Sequence, residues 1–237
     1  MVKRVLNNFL RLWNKKTAYA LKQEAMLHIA LCEAGIKPGS QRISVDHING
    51  RSNVSGIEVG LVFPKIFFDY AEALYCAGEK TITYYFDGYQ GDDDGRKTML
   101  KPFTILDDAV IVFSRTGREQ QSKGRFNVEY YRQISESKFV LCPHQKDWPY
   151  SDSVIWTYRF VEACMAGAIP VVFNETPLSR EFTQGIQFVS DKEALSGVEY
   201  DIDVVRCNML VARERFTLSD ENVSRICRSN IRSLTSS

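Results

Sequence analysis

The chain has 237 residues, 44% of them hydrophobic and 25% charged, with a formal net charge of +1 at pH 7. That length suits one large domain or two small ones around a real core, and the composition is that of a globular protein. The near-neutral balance supplies no global field that would draw nucleic acid.

The charge is unevenly placed. Lys3, Arg4, Arg11, Lys15, Lys16 and Lys22 precede the first acid, Glu24. Within residues 2–13, Val2, Val5, Leu6, Phe9, Leu10 and Trp13 repeat near the helical period. Two readings stand: a basic amphipathic helix lying in a membrane interface, or one covering a core groove with its lysines in water. Asn7, Asn8 and Arg11 interrupt the apolar run, so it does not read as a secretory leader, and no run approaches the length of a membrane span. The expectation is a cytoplasmic protein, peripheral on the inner face of a membrane if residues 2–16 bind one. Six cysteines, with no C-x-x-C pair, fit reduced, buried thiols in that compartment. Cys76, Cys142 and Cys164 lie in apolar surroundings.

Ala18 to Glu33 predicts a helix ended by Gly35 and Pro38. Arg42 to His47 reads as a short strand, and Asn49 to Gly56 as a turn-rich loop. Pro64 opens a helix that runs to Ala77. From Thr81 the pattern alternates: strand 81–86, loop 87–95, helix 96–102, strand 109–113, basic loop 115–125, helix 127–136, strand 139–142, helix 154–166, strand 169–173. Continuous apolar strands alternating with helices predict an α/β fold, a Rossmann-like parallel sheet covered on both faces. Past residue 176 the chain reads as mostly helical, with Ser219 starting a last helix near 220–233. The expected division is a short N-terminal portion, 1–78, and a Rossmann-like domain, 79–237.

Ligands of such sheets sit beyond the carboxyl ends of the strands. Three loops leave on that edge: Asp87 to Gly95, Ser114 to Arg125 and Pro143 to Ser153. The second carries Arg115 and Arg118, partners for phosphate oxygens, or it is a solvated basic loop. The third holds His144, which follows a strand and points toward the cleft in this reading, and ends in Ser151, Asp152 and Ser153. Those three suit the cap of the helix bearing Arg159 and Glu162, and a capped helix N-terminus is a ready anion site. Arg159 can hold phosphate while Glu162 accepts bonds from a ribose diol. The bland reading is an Arg–Glu pair on a surface helix, worth under about 1 kcal/mol.

The blocks Phe139-Val-Leu-Cys-Pro143, Thr157-Tyr-Arg-Phe-Val-Glu-Ala163 and Ala166-Gly-Ala-Ile-Pro-Val-Val172 resemble the C-terminal signature of the exostosin-like glycosyltransferases. Tyr84-Tyr-Phe-Asp-Gly88 followed by Arg96 resembles that family's opening strand and downstream arginine more loosely. The resemblance covers roughly residues 81–190. It implies a GT-B-like architecture whose C-terminal half binds a nucleotide-sugar donor without requiring a divalent metal or other cofactor. By that resemblance Glu162 holds the ribose, and Arg159 lies near the diphosphate with the capping hydroxyls, Ser153 and Thr157 among them. Thr157 stands where the family has serine, and Ala168 where it commonly has cysteine. The 78 residues ahead of the donor-like part are fewer than a full GT-B acceptor half.

An inverting transfer needs a base for the acceptor hydroxyl. Asp46 and His47, at a strand end, are placed for that role; the other reading is a turn aspartate and a half-exposed histidine. Asp92, Asp93 and Asp94 admit a metal reading or a solvated acidic turn, and the second is adopted. Tyr130, Tyr131 and Trp156 can stack on a base or belong to the core. The expected function is glycosyl transfer from a nucleotide sugar to a glycan or lipid-linked acceptor. The rival is a catalytically inactive nucleotide-sugar-binding or scaffold protein.

Overall fold

The computed structural model describes residues 22–46, 51–88, 95–113, 126–143, 157–173 and 180–235. In chain order these form helix α1 (Lys22–Glu33), strands β1 (Ile43–Asp46), β2 (Arg51–Val54) and β3 (Ile57–Glu58), helix α2 (Lys65–Ala77) and strand β4 (Ile82–Gly88). Helix α3 (Gly95–Leu100), strand β5 (Ala109–Phe113), helix α4 (Val128–Ser135), strand β6 (Ser137–Leu141), helix α5 (Tyr158–Met165) and strand β7 (Ile169–Val172) follow. Helix α6 (Arg180–Thr183), strand β8 (Val189–Ser190) and helices α7 (Asp191–Leu195), α8 (Ile202–Arg215) and α9 (Asp220–Thr235) complete the order.

Two compact units share the chain. The first takes the described residues up to Lys65 and those from Phe216 onward, with Phe126 and Asn127; the second takes Ile66 to Phe113 and Val128 to Arg215. This differs from a division at residue 78 for two physical reasons. Helix α2 packs Tyr75 onto the core of the second unit, and its Asp69 and Glu72 accept from Arg213 of α8 at 2.7 and 3.2 Å. The last helix, α9, instead joins Leu218 and Ile226 to the apolar cluster of Leu27, Ala30, Leu31 and Val54.

In the first unit β1, β2 and β3 form an antiparallel sheet in that order. The segment read as a loop, Asn49 to Gly56, therefore contains a strand, β2, paired Ile43 to Val54 with β1 and Val54 to Ile57 with β3. What made it look like a loop is its tight turn. Ser55 and Gly56 both have positive φ, 50° and 86°, the primed-turn geometry that joins two strands through two residues. The Gly56 N–H donates to Asn53 Oδ1 at 2.8 Å.

The second unit is built on a five-stranded parallel sheet in the order β5-β4-β6-β7-β8, flanked by helices. Its central strands are apolar because both faces are covered: β7 is buried at all four positions. Tyr84, Phe86, Phe139, Leu141, Ile169 and Val171 meet Leu100, Phe103, Ala194 and Val205 in one cluster. Each aromatic or branched side chain so buried stabilises the fold by roughly 1.5–3 kcal/mol.

The turn between α5 and β7 follows from Gly167. At φ +77° it adopts the left-handed conformation that ends helices, and the Ala168 N–H donates back to Ala163 O at 2.9 Å. A Cβ on Gly167 would lie 2.2 Å from the Tyr75 ring. The same amino-end edge of the sheet is fastened by Lys80. Its Nζ donates to the carbonyls of Ser135, Ser137 and Gly167 at 2.7, 2.9 and 2.6 Å, between the rings of Tyr75 and Tyr200. Burial lowers its pKa to about 7, against the pull of three carbonyls that call for the three N–H bonds of an ammonium.

The cysteine reading needs correction. Cys142 and Cys164 are buried, but Cys76, Cys207 and Cys227 are exposed and Cys32 is intermediate, all six as free thiols. Cys76 sits one residue past Tyr75, about 100° round the helix, away from the face that buries Phe67, Phe68 and Ala71. Among the described residues no helix is long and apolar enough to cross a membrane.

Candidate functional site

The chain makes β4, then goes to one side for β5 and returns to the other side for β6. The reversal falls between β4 and β6, and the carboxyl ends flanking such a reversal are where doubly wound sheets take their ligands. Helix α5 begins there. Thr157, extended at φ −139° and ψ 133°, caps it by accepting from the Arg159 N–H at 3.3 Å. The cap is thus Thr157, four residues later than Ser153, because the helix starts at Tyr158 and not near 154.

Arg159 stands in the first turn and is 2% exposed. Its guanidinium carbon lies 4.3 Å from the centre of the Phe86 ring, and Nη2 donates to the Asp87 carbonyl at 2.7 Å. Both contacts are on the last turns of β4, so the cation is laid across the rim of the sheet. Gly88 makes room for it: a Cβ there would stand 2.2 Å from Nη2. A glycine ending an otherwise aromatic strand marks such a close approach.

Glu162, three residues on, is 0% exposed. Tyr130 of α4, itself 2% exposed, donates its hydroxyl to Glu162 Oε2 at 2.8 Å. The Tyr130 ring packs against Tyr85 of β4 at 6.3 Å and edge-on to Tyr131 at 5.6 Å. Burial, with the Tyr130 phenol and the Asp87 carboxylate nearby, pushes the Tyr85 phenol far above its ordinary pKa, so it stays neutral. The bland reading of a surface ion pair fails here: every residue of α5 from Arg159 to Met165 is buried. Tyr130 and Tyr131 likewise belong to the interior.

Thr157, Arg159 and Glu162 are therefore brought together by one helix at the sheet's rim. Asp46 ends β1 in the other unit. Arg96 lies in the first turn of α3. His47, Arg115, Arg118, His144 and Ser153 lie outside the described residues, as do Asp92, Asp93, Asp94, Trp156 and residues 2–16.

No protein-family model and no curated protein matches this chain.

Three contacts at the rim were not foreseen in the sequence: Phe86 under the guanidinium, Gly88 beside it, and the Tyr130 hydroxyl on Glu162. The Phe-Asp-Gly ending of β4 carried a usable signal, a glycine closing a buried strand; Tyr130 was read as a base-stacking or core aromatic, and nothing local marked its bond to a carboxylate 32 residues away. Among the described residues no group of three His, Cys, Asp or Glu side chains is placed to hold a metal ion. A cavity of about 260 Å³ lies in the first unit between α1 and the starts of α2 and α9, lined by Ala30, Glu33, Lys65, Leu218 and Asp220. It includes none of the candidate residues.

Proposed function

We propose that the parallel-sheet unit grips the nucleotide diphosphate of a sugar donor, and that the protein is a glycosyltransferase resembling the exostosin-like family in a GT-B-like arrangement. The observation that carries this reading is the Arg159 guanidinium held across the carboxyl rim between β4 and β6, beside a capped helix start. A fixed cation and a helix N-terminus at that rim suit a developing diphosphate charge. Catalysis in this reading is positioning plus neutralisation of the departing nucleotide diphosphate, with Arg115 and Arg118 as further phosphate partners and no divalent metal or other cofactor. Asp46 or His47 serves as base toward the hydroxyl of a glycan or lipid-linked acceptor. Residues 2–16 hold the enzyme at the cytoplasmic face of the membrane where lipid-linked acceptors reside. His144 and Ser153 complete the donor side.

A second reading, a nucleotide-sugar-binding or scaffold protein without transfer activity, makes the same use of Arg159 and the capped start of α5. The test is calorimetry with UDP-glucose, UDP-N-acetylglucosamine and GDP-mannose, followed by transfer and donor-hydrolysis assays with whichever binds. Binding with sugar transfer supports the enzyme. Binding without transfer or donor hydrolysis supports the second reading, and no binding removes both.

A further inference from the structure

We propose that strand β5 is the contact through which two copies of this chain associate, pairing antiparallel with itself across a two-fold axis at Ile111. The inference goes beyond the donor-site reading and does not depend on it.

The two edges of the parallel sheet are unlike. β8 has two residues, Val189–Ser190, and runs straight into α7, which leaves little edge to pair. β5 has five, Ala109-Val-Ile-Val-Phe113, paired without interruption to β4. Among the described residues no strand lies on its other side. Native proteins blunt such an edge with a lysine, a proline, a bulge or a short strand. β5 has none of these, and its Val112 and Phe113 are 43% and 40% exposed.

The backbone decides what fits this edge. The Thr83 and Tyr84 N–H groups donate to the Asp108 carbonyl at 2.9 and 3.3 Å, so Asp108, Val110 and Val112 turn their backbone groups toward β4. Alternate residues point theirs the opposite way, so those of Ala109, Ile111 and Phe113 face outward. The Ala109 N–H is taken by the Leu106 carbonyl at 3.2 Å. A second β5 laid antiparallel, with Ile111 opposite Ile111, uses what remains. Each Ile111 N–H reaches the other Ile111 carbonyl, and each Phe113 N–H reaches the Ala109 carbonyl of the second copy. The side chains match as well, since Val110 falls opposite Val112 and the small Ala109 opposite the large Phe113. Charge selects the direction. Asp107 and Asp108 precede the strand and Arg115 follows it in the sequence, so antiparallel copies bring unlike charges together where parallel copies bring like ones. Such a contact is isologous and closes at two copies.

Sedimentation velocity of the full chain tests this, under reducing conditions that exclude bridges through the exposed cysteines. One strand pair is a small interface, so a monomer–dimer equilibrium centred at roughly 10–100 µM is expected. Ile111→Pro removes the outward N–H and spares the bonds to β4, because an edge position whose N–H faces solvent accepts proline. Val112→Lys supplies the missing guard. Each is expected to weaken association about tenfold or more, and should one fail to fold, the other carries the comparison. Benzoylphenylalanine in place of Phe113, irradiated in a mixture of light and heavy-isotope protein, is expected to capture the segment around Ala109 of the other copy. Wild type that stays monomeric to about 1 mM overturns the inference. So do folded variants that dimerise as wild type does, or cross-links that join the copies through another segment.

Discussion

Arg159 occupies the space in which a side chain on Gly88 would begin. The gap between its Nη2 and the position of a Cβ on Gly88 is 2.2 Å, well inside van der Waals contact, and the guanidinium is fixed on its other sides by Phe86 and the Asp87 carbonyl. Gly88→Ala is therefore expected to push the guanidinium off the rim. The cost is an overpacking one, about 1–3 kcal/mol, read from the denaturant midpoint. Nucleotide binding should fall along with stability. An alanine variant with unchanged stability and affinity would show that the arginine is not held where the contacts put it.

Arg159→Met keeps most of the aliphatic stem and removes the fork of donors. It deletes the bond to the Asp87 carbonyl and the ring contact, which is expected to cost about 1–3 kcal/mol of stability. For a cation that meets a diphosphate, affinity for UDP or GDP should drop by about tenfold or more, and the remaining binding should depend less on salt than that of wild type. Calorimetry at two salt concentrations checks this; equal salt dependence in the two proteins would take Arg159 off the ligand.

Lys80 makes stability depend on pH in a definite direction. Its pKa in the folded protein is lowered from 10.5 to about 7 by burial. Between those values the unfolded chain binds the proton that the folded chain has released, so the contribution of this group to stability rises with pH through that window and is smallest below about pH 7. Lys80→Met removes the effect and leaves three carbonyls without that donor, at about 2–4 kcal/mol. The measurement is the difference in melting midpoint between wild type and Lys80→Met from pH 6 to 10. A difference that stays flat or shrinks as pH rises contradicts the assignment.

Deleting residues 1–16 is expected to abolish pelleting with anionic liposomes while leaving UDP or GDP binding intact, since the basic amphipathic segment and the rim site are assigned separate roles. A shortened protein that still sediments with vesicles places the membrane contact elsewhere.

Much of the architecture was legible in the order of residues. The strands Ala109–Phe113 and Ile169–Val172 lie where unbroken apolar runs bounded by turn signals put them; Ile169–Val172 is buried at all four positions, and a strand covered on both faces has no polar position to disguise it, whereas Ala109–Phe113 is equally apolar as a half-exposed edge strand. Ser219 accepts from the Asn222 N–H at the start of α9, as its place before Asp-Glu-Asn suggested. The hairpin at Ser55-Gly56 was missed because a two-residue turn and its short strands share the polar residues of a loop. The burial of Arg159 and Glu162 was not readable either. Local sequence shows an arginine and a glutamate three apart on a helix, a pattern that fits exposed and interior helices alike. What decides between them is a phenylalanine 73 positions back, a glycine 71 back and a tyrosine on another helix.

The Lys80 knot has a consequence for how this sheet can change. It draws the amino ends of three parallel strands into one fastening, while the residues with chemistry to offer emerge at the far ends of those strands. Insertions, grafts or wholesale swaps of the segments that follow β4 and β6 leave that fastening untouched. A single scaffold of this kind can hence accept loop replacement at one end of its strands while its stability stays anchored at the other.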